Sequence, residues 1–299
     1  MKAAPFKYVR PKDLAEASAI LAADEDARPI SGGQTLVPMM AMRLARPTRL
    51  VDIARLPELD GIRREGNNLV LGAAVRQAVA ERSGEVREHL PLLSAALPWV
   101  GHQPTRNRGT VGGSVANADP AAEIPLVLTT LEGSVRTMSG AGAAEIPAAD
   151  FFAGPMMTAL EHGALVTALV FPVWEEANIG VGFHEVSARK SDFAYVSAAA
   201  QVTVDASGKC IRCSIGIGGA TPSPVRLAQS SAVAAEGGNS EAVHAALEGE
   251  IAGLEIMTDG HATEAYRRRV ALSLARRALA DALQAAGSEK RKYSLISMV

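Results

Sequence analysis

The sequence predicts an α+β protein with two domains, on three observations. Strand-like runs alternate with short helical runs through residues 1–130. From residue 182 onward three strand-like runs follow one another, and the rest of the chain has a helical pattern. Between these regions, at Pro172–Asn178, the pattern changes. We therefore expect a first domain over residues 1–175 and a C-terminal domain over residues 176–299, built as a small antiparallel sheet packed with helices.

The first domain begins with a helix over residues 13–23, where apolar residues recur at helical spacing behind Asp13. Aspartate is a preferred N-cap, so we expect Asp13 to cap this helix. IRREGNNLVLGA, from residue 62, predicts a hairpin that turns at residues 66–68. Further strands are expected at RPIS (28–31, a buried strand), LVDI (50–53), SVRTM (134–138) and ALVTALVF (164–171).

The C-terminal domain is predicted to begin with three strands: GFHEVSA at 182–188, YVSAAAQVTV at 195–204 and CIRCSIGIGG at 210–219. Helices are predicted at Ser240–Glu250 and from His261 to about Ala285. In the second helix the apolar residues fall mostly on one face: Tyr266, Val270, Leu274 and Leu283. The arginines of this helix are expected in solvent: Arg267, Arg268, Arg276 and Arg277.

The composition is that of an ordinary globular protein. Of the 299 residues, 48% are hydrophobic and 21% charged, and the formal net charge is −2. This charge balance gives no reason to expect a nucleic-acid partner. No apolar run is long enough for a transmembrane segment, and MKAAPFKYVR lacks the apolar stretch of a secretory signal. With two cysteines, a disulfide framework is not expected, and we predict a cytoplasmic protein.

Two glycine-pair loops are the candidate binding features. SGGQTLVPMMAMR begins at residue 31, and RNRGTVGGSVANADPAAEIP occupies residues 106–125. A glycine pair lets the backbone approach a ligand closely, and successive N–H groups can then hold a phosphate. Neither loop fits G-x-G-x-x-G or a P-loop, and GIGGA at 216–220 is followed by TPSP, which cannot continue as a helix. Two such loops favour a pyrophosphate held from both sides, although ordinary turns remain the simpler interpretation of either loop alone.

These two loops resemble the two FAD-binding signatures of the molybdenum hydroxylase medium subunits, the flavin subunits of the carbon monoxide dehydrogenase and xanthine dehydrogenase type. Their order and separation agree with that family. Further segments agree as well: LGAAVRQ at 71–77, ARKSDFAYVSAA at 188–199 and IGGATPSPVR at 217–226. The resemblance covers most of residues 1–285, and the second loop is its most specific part.

The resemblance implies a fold and a set of FAD contacts. The first domain would have the p-cresol methylhydroxylase-type FAD-binding fold, with subdomains of about 1–56 and 57–175 that hold extended FAD between them. The first pyrophosphate loop would be Ile30, Ser31, Gly32, Gly33, Gln34, Thr35 and Leu36, acting through main-chain N–H groups. The second loop and its neighbours would be Val100, Gly101, Thr110, Val111, Gly112, Gly113, Ser114, Asn117, Asp119 and Glu123. Weaker expectations are Val166 on the adenine, Lys190 near the flavin or its phosphates, and Tyr195 on the isoalloxazine face. Valine at Gly33 or Gly112 is expected to abolish FAD retention and leave the fold largely intact.

The family also implies partners. A large subunit would carry the molybdenum cofactor, and a small subunit would carry two [2Fe–2S] clusters that deliver electrons to FAD in this chain. The usual assembly would be a dimer of heterotrimers. This chain would then need no catalytic acid or base and no metal ligand of its own. The sequence does not predict the substrate, the terminal acceptor or the flavin potential.

Two other functions remain open from the sequence. One is a self-sufficient flavoenzyme of the same superfamily, similar to the bacterial enolpyruvyl reductases, with a substrate pocket of its own over the flavin. The other is a non-enzymatic module whose glycine loops hold a phosphorylated ligand. Flavin in the purified chain would argue against the module, and co-purifying molybdenum and iron would argue against the self-sufficient enzyme.

Other motifs are assigned structural roles. Cys210 and Cys213 form a C-x-x-C within a predicted strand, where residues three apart point to opposite faces, so we expect two ordinary strand cysteines. His102 is the histidine nearest the second loop, and packing or loop hydrogen bonding is favoured for it. For Arg106 and Arg108 we favour loop anchoring or solvation over phosphate contact.

Overall fold

The computed structural model describes residues 2–296; Met1 and residues 297–299, the outer limits of the two expected domains, lie outside the described residues. The chain begins with a parallel sheet in the order β1-β3-β2. The Asp13 carboxylate accepts a hydrogen bond from the Glu16 amide at 2.8 Å, which confirms the predicted N-cap. The elements are β1 (Lys7–Val9), α1 (Leu14–Ala23), β2 (Ala27–Ile30), α2 (Leu36–Ala41) and β3 (Arg49–Asp52).

The sequence predicted a buried strand at residues 28–31, but β2 is largely exposed. Arg28 and Pro29 are exposed because β2 is an edge strand and lines a cleft.

An antiparallel sheet in the order β4-β5-β10-β6-β7 follows, with short helices between its strands. The predicted hairpin is confirmed: β4 and β5 turn at Gly66-Asn67, and Gly66 has a φ of 56°. The elements are β4 (Ile62–Glu65), β5 (Asn68–Gly72), α3 (Gln77–Arg82), α4 (Gly84–His89), α5 (Pro91–Ala96), α6 (Gln103–Arg108), α7 (Val111–Asn117), α8 (Glu123–Thr130), β6 (Ser134–Ser139), β7 (Gly142–Pro147), α9 (Ala148–Phe151), β8 (Phe152–Gly154), β9 (Met157–Thr158) and β10 (Leu165–Pro172). Short 3-10 turns lie at Pro57–Leu59 and Leu97–Trp99.

The remainder of the chain is an antiparallel sheet in the order β11-β12-β13-β14 with helices after it. These elements are β11 (Ile179–Ser187), β12 (Ala194–Val204), β13 (Cys210–Gly218), β14 (Val225–Arg226), α10 (Ala228–Ala235), α11 (Ser240–Ala252) and α12 (Glu264–Ile296). In the part of the chain that the structure describes, no helix is both long and apolar enough to cross a membrane.

The last sheet is covered on both faces because its side chains alternate. Val196, Ala198 and Ala200 of β12 belong to the core that the sheet forms with α10, α11 and α12. Phe183 and Ala199 point the other way and join the core formed by the first 175 residues. The two cores therefore share this sheet, which has buried residues on both faces.

One face of α12 differs from the prediction. Arg267 is buried, and its guanidinium donates to the backbone carbonyls of Tyr195 and Gly219, each at 2.6 Å, and pairs with Asp259. Leu283, expected in the core, is 37% exposed. Arg267 therefore faces the sheet, where it binds carbonyls in β12 and just after β13, and the periodicity of α12 alone does not anticipate this.

Both cysteines lie in strand β13 as predicted, but they do not point to opposite faces of it. Cys210 pairs with Val204 and Cys213 with Val202, and the ladder shifts register between them, so one residue bulges. Both cysteines are free and buried, and their thiols contact each other. Cys210 and Cys213 thus share a face, because the bulge offsets the alternation on which the prediction relied.

Candidate functional site

A cleft of about 590 Å³ lies where the predicted loops meet. Its walls come from the β2–α2 loop, the start of α7, the strand β10 and the β11–β12 loop. Cavities of roughly 300–1,000 Å³ are typical of small-molecule and cofactor sites. The chain therefore has one cleft in which both glycine loops can reach the same ligand.

Most of the predicted contact residues line this cleft. They are Ile30, Ser31, Gly32, Gly33, Gln34, Thr35, Leu36, Val100, Gly101, Thr110, Gly112, Gly113, Ser114, Asn117, Asp119, Glu123 and Val166. Val111, Lys190 and Tyr195 are not among the lining residues. Val111 is fully buried and Lys190 is exposed outside the cleft.

The first loop presents free backbone donors. Among the described groups, none accepts a hydrogen bond from the amides of Gly32, Gly33 or Gln34. The Ser31 Oγ atom is buried and also lacks a partner. Successive backbone N–H groups without a protein partner can hold an anion, so this wall of the cleft fits an anionic group that accepts from them.

The second loop is built differently, because its N–H groups are already used. The amide of Val111 donates to the carbonyl of Val75 and that of Gly112 to the carbonyl of Ala73, each at 3.0 Å. The amide of Gly113 donates to Thr110 Oγ1 at 3.1 Å, since Thr110 is the N-cap of α7. This loop therefore offers the cleft small residues and hydroxyl groups, not a row of free amides.

The glycines of the loops also hold the backbone together. A Cβ atom on Gly32 would lie 2.5 Å from the carbonyl oxygen of Arg108, so the first loop touches the second through Gly32. A Cβ atom on Gly112 would lie 2.4 Å from the Cβ atom of Ala73. The expectation that Gly112→Val leaves the fold intact is therefore wrong, because this glycine packs α7 against β5. Gly33 has a φ of 70°, so valine there would be strained as well.

Arg106 anchors the cleft wall, as predicted. Its guanidinium pairs with Glu81 through two hydrogen bonds of 2.8 and 3.1 Å. It also donates to the carbonyls of Val100 and Gly101, at 3.2 and 2.9 Å. A bidentate pair of this kind fixes geometry, so Arg106 positions the Val100–Gly101 segment.

Glu123 places a carboxyl group in the cleft at the start of α8. The pKa of Glu123 is raised to about 7, chiefly by burial and to a smaller extent by the nearby charge of Asp119, while a backbone hydrogen bond and Arg106 oppose the shift. Glu123 is therefore partly protonated near neutral pH, and it can accept from or donate to a ligand hydroxyl.

Glu185 belongs to the same region and was missed from the sequence. Among the described residues, neither of its buried carboxylate oxygens has a hydrogen-bond partner, and nor does the Oγ atom of its cross-strand neighbour Ser197. Burial, and next the charge of Glu123, raises the pKa of Glu185 to about 8. The available signal was the alternation of side chains along β11, which puts Glu185 on the same face as Phe183, toward the first domain.

The β11–β12 loop brings an aromatic residue to the cleft, but not the predicted one. Ser191, Asp192 and Phe193 line the cleft, and Phe193 is 75% exposed. The ring of Tyr195 is instead stacked on His261, with centroids 6.0 Å apart and an interplanar angle of 14°. His102, also exposed, lines the cleft on the opposite wall.

The chain matches known families over both of its regions. Residues 4–174 match a family described as the FAD binding domain in molybdopterin dehydrogenase, and residues 182–282 match the CO dehydrogenase flavoprotein C-terminal domain. The chain belongs to the FAD-binding medium subunits of the molybdenum hydroxylases. These subunits are components of oxidoreductases, so a non-enzymatic phosphate-binding module is not supported for this medium subunit.

Relatives of this medium subunit match it along nearly their whole length. The 6-hydroxypseudooxynicotine dehydrogenase complex subunit alpha of Paenarthrobacter nicotinovorans is 35% identical over 97% of this chain and 98% of its own. The carbon monoxide dehydrogenase medium chain of Afipia carboxidovorans is 33% identical over 92% and 95%. The chain is thus similar in extent to whole medium subunits.

Solved structures show the same fold. Carbon monoxide dehydrogenase of Hydrogenophaga pseudoflava, in a form lacking the Mo-pyranopterin moiety, superposes with a TM-score of 0.91 at 31% identity, over 95% of this chain and 99% of the other. Quinoline 2-oxidoreductase of Pseudomonas putida 86 gives 0.89 at 33% identity, over 96% and 99%. The expected fold class, an α+β FAD-binding domain followed by a C-terminal domain, is confirmed.

Proposed function

We propose that this medium subunit binds FAD in the cleft and transfers electrons from [2Fe–2S] clusters of a partner subunit to an external acceptor. The observation that carries the proposal is the wall of unpaired donors at Gly32, Gly33 and Gln34, which faces the capped N-terminus of α7 across the cleft. A pyrophosphate fits there, because its oxygens accept several hydrogen bonds at once from successive backbone N–H groups.

The contacts we propose are those predicted residues that line the cleft. The first loop would hold the pyrophosphate through its amides, and Thr110 and Ser114 would add hydroxyl groups from the second. Glu123 would accept from a hydroxyl or amino group of the cofactor. Phe193 would take the position expected of Tyr195 against the ring system, since it is the aromatic residue in the lining.

The role of the protein is to bind, orient and shield the cofactor. FAD, when bound, supplies redox chemistry that can take up electrons singly and give them up singly or in pairs. Arg106 holds the Val100–Gly101 wall, and the β11–β12 loop lines the cleft at Phe193. No side chain of this chain is assigned a catalytic proton transfer.

The partners and the organisation follow the relatives. Their names, "subunit alpha" and "medium chain", describe parts of larger enzymes. We propose a large molybdenum subunit and a small iron–sulfur subunit as partners, assembled as a dimer of heterotrimers in the cytoplasm, where free cysteines such as Cys210 and Cys213 persist. We also propose a domain division between β10 and β11, within residues 172–178.

The test is a visible absorption spectrum with metal analysis of the natively purified protein. We expect flavin bands with overlaid iron–sulfur absorption, and about four irons per flavin from two [2Fe–2S] clusters. Flavin without metals or co-purifying chains would instead favour a self-sufficient flavoenzyme. A colourless protein that takes up no FAD would overturn the proposal.

A pair of variants locates the FAD. Ser114→Phe fills the cleft from α7, where the serine side chain has no hydrogen-bond partner among the described residues, and should abolish FAD retention. Ser240→Phe makes the same change on the exposed first turn of α11 and should retain FAD. Equal flavin content in both variants would contradict the assignment of the cleft.

A further inference from the structure

Another cavity, of about 620 Å³, lies on the far side of the first glycine loop. It is at the carboxyl edge of the parallel sheet: Arg10 follows β1, Asp52 ends β3 and Ile30 ends β2. Residues 30–34 form a wall common to this cavity and the cleft. Ligands bind preferentially at such strand ends in sheets with parallel strands.

The lining of this cavity has an excess of positive charge. It contains four arginines, Arg10, Arg55, Arg76 and Arg108, against the carboxylate of Asp52. That carboxylate is already engaged by the hydroxyl of Tyr8 and by Arg10, whose Nε atom is 3.4 Å away. One carboxylate, shared with Arg10, therefore stands against the charges of four arginines.

Arg55, Arg76 and Arg108 have no salt-bridge partner within the described residues. Arg55 and Arg108 are exposed, and neither guanidinium donates a hydrogen bond to another described group. Arg76 is half-buried and donates to the carbonyl oxygen of Arg108. The three cations are thus free to bind an added anion, and one of them is held in place by the backbone.

The electrostatics indicate that the three side chains act on one another. Burial lowers the pKa of Arg76, and the charges of Arg108 and Arg55 lower it further, while Asp52 and Asp60 oppose this. Arginine remains charged under these conditions. Asp52 and Asp60 relieve only part of the repulsion, because Arg108 has the larger effect and the pKa remains lowered, and an anion bound among the three arginines would relieve more of it.

We propose that this arginine pocket, defined by Arg55, Arg76 and Arg108, binds a phosphate-bearing small molecule separate from the FAD of the cleft. Guanidinium groups match phosphate oxygens in pairs, and three of them suit an anion with two or more charges. The ring of Tyr8, which is 50% exposed, and the side chains of Ile30 and Val37 offer an apolar surface for the organic part of a phosphate ester.

The proposal is tested with inorganic pyrophosphate as the probe, by calorimetric titration of the FAD-loaded, natively purified protein at low salt. We expect saturable binding at one site per chain. Arg55→Gln and Arg108→Gln should each weaken it about tenfold or more, the effect of losing one charge-assisted contact. Arg277→Gln, an exposed arginine on α12, is the matched control and should bind as the unmodified protein does.

Flavin absorbance, measured in each sample, separates this proposal from the FAD assignment. Retained flavin with weakened pyrophosphate binding in Arg55→Gln and Arg108→Gln would support the arginine pocket. Pyrophosphate that binds only after FAD is removed would belong to the cleft and overturn it. A third outcome is that the unmodified protein binds no pyrophosphate and that both variants lose their co-purifying chains. The arginines would then bind an acidic surface of a partner, and the proposed phosphate site would be overturned. Absence of flavin from every sample would count against the FAD assignment alone.

Discussion

Glu185 shows how a single residue can make stability depend on pH. Phe183 and Val181, two and four positions before it in β11, contribute apolar side chains to the first core. The carboxylate of Glu185 is enclosed and has no hydrogen-bond partner among the described residues. The groups around it are few: α5 (PLLSAA) carries no titratable side chain, and Asp281 of α12 is held by His184 on the other face at 2.8 Å. Glu123 is the charge that acts on it.

We expect Glu185→Gln to stabilise the protein at alkaline pH and to leave it unchanged at acidic pH. Because folding raises the pKa values of Glu185 to about 8 and of Glu123 to about 7, the folded state holds protons that the unfolded state releases above its ordinary carboxyl pKa. Stability is therefore full at low pH and falls as the pH rises toward 8. Glutamine removes one of the two titrations, so the melting temperature of the variant should fall less over this interval.

The measurement is a series of melting temperatures from pH 5 to pH 8.5 for the unmodified protein, Glu185→Gln and Glu236→Gln. Glu236 is exposed at the end of α10 and provides the control for a lost carboxylate. Parallel curves for all three proteins would mean that Glu185 titrates as an ordinary surface group.

At the scale of elements, α12 packs on β11 through two glycines. A Cβ atom on Gly180 would lie 1.9 Å from the carbonyl oxygen of Ala282, and one on Gly182 would lie 2.1 Å from that of Ala278. Alanines along α12 complete the close approach, since Ala278 and Ala282 are fully buried. The small residues on both elements are therefore needed for the distance at which helix and sheet meet.

We expect Gly182→Ala to destabilise the protein by about 2 kcal/mol, because a methyl group there displaces helix backbone. The same substitution at Gly249, an exposed position inside α11 with open space around it, should stabilise by about 0.5–1 kcal/mol. Denaturant unfolding of the two variants gives both values. Destabilisation of similar size at both positions would contradict the packing argument.

At the scale of the whole molecule, the C-terminal sheet completes the core of the first domain. Phe183 is buried against Trp99, with ring centroids 6.0 Å apart, and belongs to the core of the first domain. Ten residues later, Phe193 is exposed at the cleft. Phe183 therefore contributes to packing between the two domains, whereas Phe193 is the residue that we propose to contact the cofactor.

We expect Phe183→Ala to cost about 3 kcal/mol of unfolding free energy, as is usual for a buried phenylalanine. Phe193→Ala should leave the stability of the FAD-free protein unchanged and weaken FAD binding. Denaturant unfolding of the FAD-free proteins and a fluorescence titration with FAD measure the two effects. A stable Phe183→Ala variant would mean that the two domains fold independently, and unchanged FAD affinity in Phe193→Ala would leave Tyr195 as the candidate aromatic.

The sequence by itself determined the main strands, the first and last helices and the identity of the two loops. Strand-like runs predicted β11, β12 and β13, and Asp13 predicted the start of α1, because these signals act between residues close in the chain. The glycine pairs and their hydroxyl neighbours predicted the walls of the cleft, and the family resemblance extended this to Glu123 and Val166.

Only the tertiary structure decided what depends on contacts between distant segments. It paired the amides of Val111 and Gly112 with the carbonyls of Val75 and Ala73, just after β5, so that of the two loops the first has the free donors among the described groups. It buried Arg267 on sheet-edge carbonyls and brought Arg55, Arg76 and Arg108 to one pocket from separate parts of the chain. Periodicity records which face of an element is apolar, but the partner of each polar group is fixed only when the elements pack.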